Sequence, residues 1–338
     1  DDLRAPLQKN RQSGNPTLDD KALEKIRSRA PLLAPLIKTI QDYRSLGVFL
    51  STFVRAPLDT DQRMRCSYNI VGTETFRFNS SENPFGSGTN LQNIPKGNEE
   101  PKPGELAMPN IRKLFIPDFG FIIYDADLDR ADLQVVVWEA NDAELKQMLH
   151  EGIDIHSENA KALNISRQLA KSWVHGTNYG GGPRTMAINC GLTVHQAERM
   201  QRRWFEIHPG VKEWHDRTMH QLETTRTVTN RFGFRRFYFD RIEGILPEAL
   251  AWIPQSTVAC VINMGLLRVA VELPEVQILL QVHDSLVFQI PRSRASELLP
   301  QVREKLLVTI PYEDPLVIPV GLKASERSWG DVHDAVWG

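Results

Sequence analysis

An α+β fold is what this 338-residue chain predicts. Two observations point to it. Apolar residues recur at helical spacing through the first 55 residues and again from residue 166 onward. Short, largely apolar runs begin at Phe121 and flank a polar tip at 283–285, the pattern of a buried strand and a hairpin. Hydrophobic residues make up 41% of the chain and charged residues 24%, which excludes wholesale disorder. The length sets a prior of about two domains, or one large one.

In chain order, Asp19 or Asp20 is placed to cap a helix running through Leu23, Ile26 and Ala30. A second helix is expected from about Leu33 to Phe53, with Leu36, Ile37, Ile40, Tyr43 and Leu46 at apolar spacing. Residues 72–95 are dense in Gly, Ser, Asn and Pro and read as an extended loop; Pro101 and Pro103 punctuate another. Phe121 to Tyr124 reads as a buried strand whose end delivers the carboxylates of Asp125-Ala126-Asp127, followed by a helix over Leu133 to Ala140. Ser166 to Tyr179 is a helix with Gly180-Gly181-Gly182-Pro183 as its stop, and helices continue from Thr193 through Trp214 and Leu222. Ile278 to Val282 and Leu286 to Ile290 flank His283-Asp284-Ser285 as the two arms of a hairpin.

The formal net charge is −2, so no global basic field marks a polyanion partner. The distribution is uneven. From Glu151 to Arg241 there are 14 Lys/Arg against 9 Asp/Glu, and no residue from Asn159 to Ala197 is acidic. Either a partly buried helix leaves that gap, or the segment faces a polyanion. Cys66, Cys190 and Cys260 are far apart, which argues against a disulfide framework and a Cys-based zinc site and suits a reducing compartment. No apolar run is expected to approach the ~20 residues of a membrane span, and no signal peptide opens the chain. The first residue is Asp1 rather than Met, and a processed or trimmed piece of a longer chain is expected.

Three features carry chemistry. Asp127 ends one apolar strand and Asp284 sits at the turn of an apolar hairpin, so each is lifted from a sheet core toward a cleft. Two converging carboxylates suit Mg²⁺, which takes oxygen ligands and leaves positions for substrate phosphates; a pair of ions ~3.5–4 Å apart would serve an attacking and a leaving oxygen. The plainer reading of Asp284 is a turn former. Second, Arg167, Lys171, His175 and Tyr179 recur at four-residue steps and line one slowly turning stripe about 18 Å long. It is cationic at the helix N-terminus, where anions are favoured, and aromatic at the other end. A triphosphate and a stacked base match that layout, as does an amphipathic helix with a solvated basic edge. Third, Gly72-Thr73-Glu74-Thr75-Phe76-Arg77 and Asn90-Leu91-Gln92-Asn93-Ile94-Pro95 bring amides and one Arg onto loops, which suits minor-groove acceptors; amides also cluster in loops for no such reason.

Taken together these segments resemble the family A DNA polymerases, the DNA polymerase I type. Tyr124-Asp125-Ala126-Asp127 is similar to motif A, Arg167-x3-Lys171-x3-His175-x3-Tyr179-Gly180 to motif B on the fingers helix, and Gln281-Val282-His283-Asp284 to motif C. Asn90 to Pro95 is similar to the family's LQNIP segment, and Asp154-Ile155-His156, His208-Pro209-Gly210-Val211 and Pro254-Gln255-Ser256 follow in order. The resemblance runs from about Thr17 to Trp329.

It implies a right-hand polymerase: an antiparallel-sheet palm from 67–137 and 255–338, helical fingers over 138–254 and a partial helical thumb over 1–66. Asp127 and Asp284 are then the catalytic carboxylates holding two Mg²⁺ ions. Arg167, Lys171 and His156 hold the phosphates of an incoming deoxynucleoside triphosphate, Tyr179 sits at the templating end, and His175 and Asp132 lie at the nucleotide. Arg77, Asn90, Gln92, Asn93, Gln255 and His283 contact primer–template DNA. A missing N-terminal segment or a second polypeptide would complete the thumb. No membrane partner is implied, and the location implied is a bacterial cytoplasm, or a host's for a phage protein.

Four positions depart from the family pattern. Asp132 stands where motif A has a Glu that excludes the ribose 2′-hydroxyl; Leu128 replaces its stacking aromatic; His175 replaces a Phe or Tyr in motif B; Ser285 replaces a Glu after motif C. A looser sugar gate is the expectation. Two other classes stay open: a catalytically weak polymerase-like DNA-binding module, and a two-metal nuclease. A serine hydrolase at 283–285 is excluded, since three adjacent residues on a tight turn cannot form a triad relay.

Overall fold

The computed structural model describes residues 7–10, 13–70, 72–101, 103–242 and 244–338. The chain divides into two compact units, one formed by 1–67 with 81–112 and the other by 68–80 with 113–338.

In the first unit, helix Asp20–Arg29 begins where the Asp19 carboxylate accepts from the Ala22 N–H at 2.8 Å, satisfying one of the donors left open at a helix start. Its Leu23 and Ile26 pack on Ile37 of helix Ala34–Val48. The expected single helix over 33–53 is three pieces: a 3₁₀ turn Pro31–Leu33, the α-helix, and a π-helical turn Phe49–Val54. Of its expected apolar face only Ile37 is fully buried, whereas Leu36, Tyr43 and Leu46 are exposed. The loop after it is tied down by Asp59, which accepts from Arg65 at 2.6 Å and from Asn83 at 3.1 Å and also bonds Ser87. Gly88 meets this loop so closely that a Cβ would fall 1.7 Å from the Arg65 carbonyl oxygen, at a φ of +75° that glycine alone adopts freely.

The second unit is built on a five-stranded antiparallel sheet. Strand Phe121–Leu128 lies at its centre, between Val320–Ser325 and Ser285–Pro291; Gln277–Val282 and His333–Asp334 form the edges. The central strand is longer than its apolar start. Asp125 and Asp127 lie within it, and Ile123, Tyr124, Ala126 and Leu128 are buried. Helix Ala131–Ala140 follows at once and is nearly all buried, with Val135, Val136 and Val137 at 0–1% exposure. The hairpin forms as expected, but its tip is His283-Asp284 alone; Ser285 already belongs to the strand.

Helix Leu246–Glu272 was not legible as a continuous apolar run. Its 27 residues are long and apolar enough to cross a membrane by length and composition, yet 67% of its most apolar stretch is buried within this unit. Leu250, Trp252, Val258, Val261 and Val269 share one core with Leu286, Phe288 and Ile290 of the hairpin. It is the core helix of the sheet: its buried residues face the hairpin and neighbouring helices, while Leu267 and Val271 near its end stay exposed.

Candidate active site

Strand register brings the two carboxylate positions together. Asp127 pairs with Ser285 on one side and Gly321 on the other. The Leu128 N–H donates to the Asp284 carbonyl at 3.2 Å, lacing the end of the central strand to the hairpin turn. That turn needs His283 at a φ of +57°, a left-handed conformation that the surrounding ladder imposes. Asp127 and His283 are exposed and Asp284 is half-buried.

Asp284 forms part of the wall of a cavity of about 430 Å³. Asp132, in the first turn of the helix after the central strand, is another part, and His156 of helix Ile155–Leu163 a third. Helix Arg167–Asn178 supplies the rest. Ser166 caps it, accepting from the Leu169 N–H at 3.3 Å, and Gly180 at φ +71° ends it, so the expected start and stop are those observed. Lys171, His175 and Tyr179 line the cavity in helical order, and the His175 and Tyr179 rings meet edge to face at 4.8 Å.

Arg167 departs from the expected stripe. It is exposed, and its Nε donates to Asp154 at 2.6 Å instead of lining the cavity. Asp154 is the N-cap of the neighbouring helix, and Arg167 and Ser157 hold its carboxyl well below the usual range. Arg77 approaches from the loop before the sheet: its Nη2 stands 3.5 Å from Asp132 Oδ1, and its buried Nε has no hydrogen-bond partner. Gln255 lies half-buried on the long core helix. Asn90, Gln92 and Asn93 belong to the first unit, where Asn90 caps the turn Leu91–Asn93, Gln92 is buried and Asn93 is exposed.

The cavity residues bias one another's protonation. Burial pushes the Asp132 carboxyl up; Arg77 and His175 oppose this, and the Asp284 charge adds to it. Burial and the Asp132 charge raise the Tyr179 phenol. Burial lowers His156, and Lys171, Arg167 and Arg130 push the same way against Asp154. Both signs of charge therefore act on the cavity: Lys171, Arg167, Arg130 and Asp154 at His156, and Arg77, His175 and Asp284 at Asp132.

Sequence reasoning missed Arg130, Gln168, Ser172 and Asn178, which also line the cavity. Gln168 and Ser172 follow Arg167 and Lys171 at the same four-residue step, a signal that was available. Arg130 had none: it reaches the cavity from a left-handed residue, φ +46°, at the strand-to-helix corner. Of the four departures, Leu128 is 2% exposed and packed in the core. Ser285 is buried and donates to the Val282 carbonyl at 3.1 Å.

A palm-like antiparallel sheet carrying acidic residues beside a helix that lines a cavity with Lys, His and Tyr defines a right-hand polymerase fold. Comparison with known proteins agrees. The sequence profile of DNA polymerase family A matches residues 1–331, and the chain belongs to that family. It is 28% identical over 349 residues to the thermostable DNA polymerase I of Thermus filiformis, covering 96% of this chain and 39% of that protein. It is 29% identical over 334 residues to DNA polymerase I of Helicobacter pylori, covering 93% and 35%. The chain thus spans about two-fifths of the length of the curated relatives it matches. The fold is shared with the POL domain of Pol1 from M. smegmatis, solved in complex with DNA primer-template and dNTP. The TM-score is 0.80 at 23% identity, over 98% of this chain and 59% of that one.

Proposed function

We propose that this chain is the polymerase region of a DNA polymerase that extends a primer 3′-hydroxyl with deoxynucleoside triphosphates, the 3′-oxygen displacing pyrophosphate from the α-phosphorus. One observation carries the reading: Asp132, Asp284, His156, Lys171, His175 and Tyr179, drawn from four separate elements, surround a single cavity. In this reading the palm is 67–137 with 255–338, the fingers 138–254, and 1–66 part of a thumb.

Asp127 and Asp284 are the residues that would hold magnesium. Asp127 offers hard oxygen donors from the end of the central strand, and Asp284 from the hairpin turn laced to it. The described residues contain no cluster of three or more His, Cys, Asp or Glu suited to a metal on its own. Two carboxylates that leave other positions to water and phosphate are the donor set Mg²⁺ accepts. When bound, the ions neutralise charge on the attacking and leaving oxygens.

The protein's own contribution is positioning and electrostatics. Lys171 holds the phosphates, with His156 beside it; Arg167 joins them by exchanging Asp154 for a phosphate oxygen. Tyr179 packs at the base end of the helix. Asp132, braced by Arg77, faces the sugar with His175. Gln255, His283 and the amides Asn90 and Asn93 are the proposed contacts to primer–template; Gln92 is buried and is not among them.

Primer extension with Mg²⁺ and four deoxynucleotides tests this. Extension is expected from the native chain and not from Asp284→Ala, and Lys171→Ala should lose nucleotide affinity while metal binding persists. DNA binding without extension overturns the reading in favour of a DNA-binding module, and metal-dependent shortening of the primer in favour of a nuclease.

A further inference from the structure

The stretch Arg226 to Arg241 holds five arginines and a single acidic residue, Asp240, with four phenylalanines among them. Its strands Thr227–Thr229 and Arg235–Phe237 form a two-stranded antiparallel ribbon. Alternation along a strand sends successive side chains to opposite faces. Tyr238 is buried at 5% exposure and Arg236 stacks over its ring at 4.6 Å, ion-paired to Glu74 and Glu248. Arg235, Phe237 and Phe239 therefore face outward, and the two rings are 51% and 88% exposed while touching each other at 4.7 Å. Among the described residues no carboxylate pairs with Arg235 or Arg241, and both are exposed.

Large rings held in water beside unpaired cations mark an interaction surface. A duplex keeps its bases stacked on one another, but an unpaired strand offers a base face to every aromatic ring and a phosphate to every nearby cation. The ribbon also joins the cavity without a break. Phe234 packs on Phe76 at 4.7 Å, and the next residue, Arg77, reaches Asp132.

We propose that the outward row Arg235, Phe237, Phe239 and Arg241 is a docking strip for single-stranded DNA, with unpaired bases stacked on the two rings and phosphates on the two arginines. This deepens the polymerase reading, since a template ahead of a primer is unpaired, but strand binding does not depend on catalysis.

The test is fluorescence anisotropy of the full chain with a labelled oligo-dT strand and, separately, a blunt duplex. The double variant Phe237→Ala/Phe239→Ala should weaken single-strand affinity by roughly 5- to 150-fold for each base unstacked and leave duplex affinity unchanged. Arg235→Gln should lower the slope of log affinity against log salt by about 0.7 for one lost phosphate contact. Both variants alter exposed side chains, and an unchanged melting temperature checks the fold. Unaltered single-strand affinity, equal loss on duplex, or a change in oligomeric state in the double variant overturns the proposal, the last in favour of a protein contact. Failure of primer extension with strand binding intact would sink the polymerase reading and leave this one standing.

Discussion

Substituting Asp132 with Glu should tighten discrimination against ribonucleotides. The Asp132 carboxyl stands 3.5 Å from the Arg77 guanidinium, beyond the ~2.7–3.2 Å of a well-formed N–H···O bond. One added methylene, a C–C step of about 1.5 Å, carries the carboxyl into bonding range of Arg77 and further into the cavity. It removes space beside the sugar and fixes the group that occupies it. A single methylene in a substrate pocket changes selectivity by about 10- to 200-fold. The ratio of kcat/KM for a deoxynucleotide to that for the matching ribonucleotide should rise by that factor in Asp132→Glu, and fall in Asp132→Ala. Single-nucleotide incorporation on a defined primer–template measures it. If ribonucleotide incorporation by the native chain is already negligible and Asp132→Glu leaves it unchanged, the reasoning fails, and the gate lies elsewhere in the cavity.

Three further outcomes follow from packing and charge. Asp132 has a folded-state pKa raised by burial above its ordinary 3.8; between those values the folded chain holds a proton that the unfolded chain releases, so this residue costs stability as pH rises. Asp132→Asn should therefore gain stability relative to the native chain at pH 7 and not at pH 4 in urea unfolding, and an equal shift at both would contradict the assignment. Glu139, 8% exposed, accepts two bonds from Arg231 at 2.8 and 3.0 Å and one from Tyr312 at 2.9 Å. Arg231→Ala should cost about 2 kcal/mol, less than the ~3–5 of a fully buried pair because Arg231 is 41% exposed; a loss below ~0.5 kcal/mol would place the pair with surface bridges. Gly210, in the first turn of helix Pro209–Thr225, has room for a Cβ only 2.4 Å from the Ala140 carbonyl oxygen. Gly210→Ala should destabilise by about 1–3 kcal/mol, read as a lower melting temperature.

What was legible in the sequence was local. The start and stop of helix Arg167–Asn178, the hairpin before and after Asp284, and the Asp19 cap all follow from contacts within a few residues, where backbone sterics and side-chain spacing act alone. The four-residue recurrence placed Lys171, His175 and Tyr179 on one face for the same reason. The strand and hairpin signals suggested that Asp127 and Asp284 converge, and the resemblance gave them a role; that Asp127 lies opposite Ser285, next to Asp284, is set by strand register.

Tertiary structure decided the rest. Arg167 shares the spacing of its stripe but turns to Asp154, the carboxylate that caps an adjacent helix. Leu128 sits where a stacking ring would be expected, yet strand register buries it in the core. The long apolar helix Leu246–Glu272 is a core element only because a sheet and neighbouring helices cover it. Periodicity states which face a residue shares, since that depends on its own backbone. Which partner meets that face depends on strands and helices far along the chain, whose register and packing no local spacing encodes.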